Sequence, residues 1–329
     1  RSADARRLMR VLIFAAADSR CGHRLIWPAR ALASEGVDVQ VIVPGVEHGK
    51  PWEHGERPDV VVMQRPMPAR LLAAIDGFKR DGVAVVVELD DDLTSLSRRH
   101  VLWPSVQPSL SPKSNWQIQA ECCRRADLVT VSTAALARRV AGHGRVVVVP
   151  NHVPASYLDV ERLEHDGVWV GWTGTMATHP NDLQVARGGI GRAVGATGAE
   201  FVVIGSERGV GDALGLPGDL WPVGFLPLDW YPAGMGQFDV GVVPLEDTAF
   251  NASKSDLKGL EFAALGVPFV ASPVAEYEAL ARRGVGVLAS KAREWEREVR
   301  RLVQSSELRA EVAGRGREYA ATQTVEKNA

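Results

Sequence analysis

Hydrophobic positions along the chain fall into short continuous runs, separated by longer segments with helical spacing. Runs at 11–16, 37–43, 60–63, 83–89, 128–132 and 146–149 are rich in valine and isoleucine and have turn residues nearby. Uninterrupted β-branched runs of this length suit strands covered on both faces, as in a parallel sheet. Between them, apolar residues three and four apart predict helices at 27–35 (Trp27, Ala31, Leu32), 69–79 (Leu71, Leu72, Ile75, Phe78) and 116–126. Such alternation predicts right-handed βαβ units and a doubly wound sheet.

The pattern then starts again. Strands are expected at 168–172, 201–204, 240–243, 268–271 and 286–288, with helical stretches at 182–194, 257–265 and 277–283. Segment 151–167, with Pro154 and a polar run at its end, reads as a linker. The expected organisation is α/β: a Rossmann-like half over 1–155, a second over 156–310, and a helical tail over 311–329 packing back on the first half. The amphipathic stretch 294–322 should break into two helices at Ser305 and Ser306. Ligands of doubly wound sheets sit beyond the carboxyl ends of the strands, and the two carboxyl edges are expected to face one another across a cleft.

Composition narrows the class. At 329 residues, with 46% hydrophobic and 24% charged positions, the chain has material for two globular cores. A formal net charge of -2 supplies no global basic field for nucleic acid or an anionic membrane. The pairs Arg6-Arg7, Arg98-Arg99, Arg124-Arg125 and Arg282-Arg283 read as solvated faces. Cys21, Cys122 and Cys123 make neither a disulfide framework nor a zinc spacing, which fits a reducing, cytoplasmic setting. Cys21, beside Gly22, reads as a bystander rather than a reactive thiol. No apolar run approaches the roughly 20 residues of a membrane span, and the N-terminus lacks a signal-peptide core. A soluble or at most peripheral protein is expected.

The most informative stretch is 250–272, FNASKSDLKGLEFAALGVPFVAS. A polar loop leads to a helix beginning near 253–255, where serines can satisfy free N–H groups, and Gly266 and Pro268 end it. Lys254 and Lys258, four apart, would share one face at the helix start, a position that favours anions. Either they face water or they hold a diphosphate. Within 170–183, VGWTGTMATHPNDL, Gly171 and Gly174 follow a strand and allow close backbone approach to a phosphate. In 85–93, VVVELDDDL, three adjacent carboxylates follow a buried strand, and such crowding is costly without compensation. A metal site, a base and a helix-capping cluster all remain open there. The loop 20–24 places Gly22, His23 and Arg24 after the first strand, and Gln64-Arg65-Pro66 ends the third. Trp169 and Trp172, three apart, fall on opposite strand faces and read as core and rim. Trp103 is the better stacking candidate, in a loop over 98–115 carrying Pro104, Pro108 and Pro112.

The run Glu261-Phe-Ala-Ala-Leu-Gly266-Val-Pro268 resembles the donor-binding turn of the retaining "group 1" glycosyltransferases of GT-B fold. Gly174, Thr175, His179, Asp182 and Leu183 match a G-(S/T)-x-x-x-H-x-x-D-L pattern of a bacterial and phage branch of that class. The resemblance covers nearly the whole chain and is strongest at 168–183 and 239–277. It implies a GT-B fold, two Rossmann-like domains, and transfer of a sugar from a nucleotide-diphosphate sugar to an acceptor hydroxyl with retention at the anomeric carbon. It implies no metal and no cofactor, the nucleotide sugar being a co-substrate, and a transmembrane segment is not expected. Glu261 inherits the ribose contact, while Ser253 stands where the class has a second glutamate on the donor sugar. The usual arginine and lysine phosphate ligands are missing from the 174–179 loop, which shifts that duty to Lys254, Ser255 and Lys258. His179 reads as a donor ligand or as a loop residue. Asp91, with Asp90 as its rival, is expected to orient or deprotonate the acceptor, and Gly22, His23 and Arg24 to form an acceptor or phosphate loop. Stretches 226–231 and 239–245 resemble base-binding and sugar-facing loops, and 98–115 is an expected acceptor-side flap. The acceptor itself (glycan, lipid, metabolite, protein or modified nucleic-acid base) is left open. A nucleotide-sugar epimerase of the same fold and a non-catalytic nucleotide-sugar-binding protein are the alternatives. Neither half carries a dinucleotide fingerprint, which disfavours a dehydrogenase.

Overall fold

The computed structural model describes residues 8–16, 22–43, 46–48, 57–216, 220–274 and 276–329. The chain divides into two compact units. One runs to Leu96, resumes over Trp103–Asn151 and includes Ala329; the other comprises Ser97–Leu102 and His152–Asn328.

In the first unit β1 (Arg10–Phe14), β2 (Asp38–Val43), β3 (Val46–His48), β4 (Val60–Gln64), β5 (Ala84–Leu89), β6 (Leu128–Val131) and β7 (Val146–Val148) form one sheet of order β3-β2-β1-β4-β5-β6-β7. Every neighbouring pair is parallel except β2 with β3. The apolar runs explain it. Val85, Val87 and Leu89 enter one core with Val129, Val131 and Ile75, while Val11, Ile13 and Val41 pack with Leu25 and Ala29 in another. The central strands thus lose water from both faces, whereas edge strand β7 leaves Val147 and Val148 exposed.

In the second unit β8 (Trp169–Gly174), β9 (Glu200–Gly205), β10 (Trp221–Gly224), β11 (Val240–Val243), β12 (Phe269–Ala271) and β13 (Val287–Leu288) form a parallel sheet of order β10-β9-β8-β11-β12-β13. Phe238, Phe262 and Phe269 fill one side; Trp172, Ile190 and Trp295 fill the other. Trp172 is buried and Trp169 half-buried, the core and rim positions that their spacing implies.

Two local expectations change. The helix expected over 182–194 is interrupted: a 3-10 turn, Asp182–Ala186, ends where Arg187 (φ 44°) and Gly188 (φ 75°) take left-handed backbone, and the α-helix proper is Gly189–Thr197. The tail forms helices Ala292–Gln304 and Ser306–Ala320, with the Ser305 hydroxyl accepting from Leu308 N at 3.1 Å. It belongs with the second unit rather than the first. Gly316 packs against Ala263, and Val325 N donates to Val153 O at 2.9 Å.

Part of the proline-rich loop also belongs there: Val101 N donates to Ala177 O at 2.9 Å, and Arg99 to Asn181 Oδ1 at 3.0 Å. Trp103 opens a short helix, Trp103–Val106. Cys122 and Cys123 are buried in the first unit, and burial pushes both thiols up to about 12. Cys21, Arg20 and the Arg6-Arg7 pair lie outside the described residues. Among the described residues, no helix is long and apolar enough to cross a membrane.

Candidate functional site

The carboxyl edge of the second sheet gathers most of the expected donor residues. β8 ends in Thr173 and Gly174, where the backbone of β9 comes very close: a Cβ on Gly205 (φ 128°) would sit 2.0 Å from Gly174 O. Gly174 (φ 142°) lies against Trp172 and His179 and occupies backbone space that favours glycine. The chain then turns tightly, His179 N and Thr178 N both donating to Thr175 O, at 3.1 and 3.2 Å. This turn delivers His179 to Asp182, with Nδ1 and Oδ2 2.7 Å apart. Asp182 is fixed in turn: its Oδ1 accepts from Glu246 N at 2.9 Å and from Asn251 Nδ2 at 2.8 Å. Asp182 and Asn251 are buried, so these bonds are shielded from water.

The lysines reach this edge differently from the expectation. The helix begins at Leu257 and runs to Ala264; the preceding 3-10 turn is Asn251–Ser253, and Lys254 has extended backbone (φ -73°, ψ 155°). Lys254 and Lys258 therefore do not share a helical face. No serine caps the helix either, since Asp256 is its N-cap residue and makes no side-chain capping bond. Both ammonium groups nevertheless bear on His179. Lys258 Nζ donates to Thr173 O at 2.5 Å and lies 5.8 Å from the Trp172 ring centroid. Lys254 Nζ lies 4.5 Å from the centroid of Phe250.

Electrostatics follow from this crowding. Burial, with Lys254 adding repulsion, brings the Lys258 ammonium down to about 8, although Glu261 and Asp182 favour its charge. Burial foremost, then Lys258 and Lys254, lowers the His179 imidazolium, against the pull of Asp182. Glu261 is buried on the second turn of the helix, and its charge bears on Tyr231, whose hydroxyl donates to Thr173 Oγ1 at 2.8 Å. Ser253 is buried and donates to Ala249 O at 3.0 Å. Ser255 and Thr175 are half-buried, and the Thr175 hydroxyl accepts from Ala177 N at 3.3 Å. An open depression of about 550 Å³ at the amino edge of the same sheet is a separate feature, lined by Arg162, His165 and Asp239.

In the first unit the three aspartates part company. Asp92 is the cap: it accepts from Thr94 N and Ser95 Oγ and pairs with Arg139 Nε at 2.8 Å. Asp90 Oδ1 faces Arg65 Nε at 3.6 Å, and Asp91 is half-buried. Gly22 opens a π-helical turn, Gly22–Ile26, that carries half-buried His23 and buried Arg24. Arg24 is engaged internally, with Nε 2.6 Å from Glu88 Oε1 and Nη1 donating to Val149 O at 2.6 Å and Asn151 Oδ1 at 3.1 Å. Glu88 is the residue that sequence reasoning passed over. It is 3% exposed, its Oε2 has no hydrogen-bond partner among the described residues, and burial pushes its carboxyl up to about 7 despite Arg24. Gln64, opposite Glu88 in register, is equally buried, and its Nε2 has no hydrogen-bond partner among the described residues. A lone acid inside an apolar strand is the signal for it in the sequence.

One doubly wound sheet per unit, parallel throughout in the second and in all but the β2–β3 pair of the first, matches the fold of the GT-B glycosyltransferases. No protein-family model matches the chain, and no curated protein sequence matches it. Solved structures do. A glycosyltransferase from Rickettsia africae is similar with a TM-score of 0.68 and 11% identity, over 98% of this chain and 96% of that one. The Anabaena protein HepE, in complex with UDP and glucose, is similar with a TM-score of 0.65 and 14% identity, over 97% of both chains. Sucrose-phosphate synthase from Thermosynechococcus elongatus gives a TM-score of 0.64 and 14% identity, over 96% of this chain and 94% of that one.

Proposed function

We propose that this protein is a glycosyltransferase that takes a nucleoside-diphosphate sugar as donor and passes the sugar to an acceptor hydroxyl. The observation that carries the reading is the meeting of Lys258, Lys254 and His179 at the carboxyl end of β8, beside a glycine-lined backbone approach. Three potential cations at one sheet edge suit a diphosphate, and the relative solved with UDP and glucose supports a nucleotide-sugar ligand. In this reading Lys254, Ser255, Lys258, Gly174, Thr175 and His179 attend the diphosphate, and Glu261 the ribose.

Chemically, the bond from the anomeric carbon to the diphosphate oxygen breaks and a bond to the acceptor oxygen forms. The acceptor's proton leaves to a carboxylate or to the departing diphosphate. Charge growing on that leaving group is met by the lysines, without a metal in this proposal. Retention of anomeric configuration belongs to the same reading. The first unit is proposed to take the acceptor, with Asp91, or Asp90 beside Arg65, as the orienting carboxylate. Gly22 and His23 are proposed to border it, whereas Arg24 serves Glu88.

A thermal-shift and calorimetric screen against UDP, GDP, ADP and dTDP sugars tests the donor. At least one should bind, and Lys258→Ala should weaken that binding about 10- to 100-fold, the value of a charge-assisted hydrogen bond. Unchanged affinity in the variant would remove Lys258 from the site. Incubation with donor alone separates the alternatives. An isomerised sugar without transfer would make the site an epimerase's, and binding without turnover over a broad acceptor panel would make it a receptor's.

A further inference from the structure

His179 is the most constrained titratable group at the proposed donor edge. Its own turn supplies Asp182, 2.7 Å from Nδ1 and held by Asn251 Nδ2 and Glu246 N. From β8, Trp172 meets the ring edge-on with centroids 6.4 Å apart. From the helix and the segment before it come Lys258 and Lys254, and Glu261 stands behind Lys258. The Glu246 carboxylate is engaged by Asn181 Nδ2 at 3.0 Å.

This arrangement fixes the tautomer. An ionised Asp182 keeps the ring proton on Nδ1, so the neutral ring offers only a lone pair at Nε2. A diphosphate likewise offers only acceptors, and a neutral His179 is the wrong partner for it. Burial foremost, and then the two lysines, disfavour the charged ring while no anion is present. An arriving diphosphate reverses that balance, because opposite charge within about 4–6 Å favours the protonated form by about 1–3 pH units.

Resting on the donor reading above, we propose that His179 is a proton-accepting ligand of the donor's diphosphate, engaging it only as imidazolium, so that donor binding takes a proton from solution. Asp182, Asn251 and Glu246 N are positioning groups: they present Nε2 and stabilise the charge once it forms. The device couples affinity to pH, and donor binding tightens as pH falls towards the point where the free ring is already charged.

Calorimetry with UDP-glucose decides it. The diester diphosphate of that probe carries no proton that titrates near neutrality, so any proton counted belongs to the protein. Titrations at about pH 6.8 in buffers of different ionisation heat should give a net proton uptake on binding, since Lys258 is already charged there. In His179→Gln the uptake should vanish while binding, weakened about tenfold, persists. Uptake that survives the substitution, or binding without uptake in the natural chain, overturns the inference and leaves the donor reading standing. Failure of UDP-glucose and of the GDP, ADP and dTDP sugars to bind in any buffer overturns it together with the donor reading. Should His179→Gln not fold, proton magnetic resonance of the eight histidines in the natural chain still decides. One imidazole midpoint should rise by about a unit or more with UDP-glucose, and none moving overturns the proposal.

Discussion

Glu88 shows how a single buried group reaches the stability of the protein. Its carboxyl has an ordinary value of 4.5 and is pushed up to about 7 because burial outweighs the attraction of Arg24. Below 4.5 the folded and unfolded chains both hold the proton. Between 4.5 and about 7 the unfolded chain releases it and the folded one keeps it, so the Glu88 contribution to stability falls with rising pH and levels off above. Urea unfolding should therefore show Glu88→Gln lacking that decline, and identical pH profiles for the two proteins would clear Glu88 of it. Arg24 is the complementary case. Its removal lifts the Glu88 carboxyl higher still, so the buried acid keeps its proton, and the destabilisation in Arg24→Met should grow as pH rises above about 7, read from the same unfolding curves; a cost that does not change with pH would mean the pair is not shielded from water. Neither role was legible locally, because Arg24 and Glu88 lie 64 positions apart.

At the scale of elements, the proposed donor site depends on the close approach of the ends of β8 and β9. Gly174 was legible as a glycine after a strand. The need for Gly205 was not, because it arises from the register that sets Gly205 beside Gly174. Gly205→Ala combines a Cβ placed only 2.0 Å from Gly174 O with an unfavourable φ of 128°. It should lose about 2 kcal/mol or more in urea unfolding and weaken nucleotide-sugar binding, as the 174–179 turn is displaced. Retention of both stability and affinity would show that the strand ends tolerate separation. The helix Leu257–Ala264 teaches the same lesson. Its apolar spacing marked its start correctly, whereas the serines and Lys254 suggested an earlier one, since capping residues also favour the non-helical turn that they occupy here.

For the whole molecule, two units with separate cores mean that a ligand of one sheet edge acts first on its own unit. Hydrogen exchange with and without a bound nucleotide sugar should show its strongest protection over 173–182 and 246–261. Protection confined to the first unit would relocate the donor.

Strand–helix alternation, two sheets of parallel strands and the division into halves were determined by the sequence alone, because burial on both faces writes itself as continuous apolar runs in consecutive residues. The gathering of His179, Asp182, Asn251, Lys254 and Lys258, and the Arg24–Glu88 pair, were decided only by tertiary structure. They depend on strand register, on where each helix starts and on how much water each group loses, and none of these is a property of neighbours in the chain.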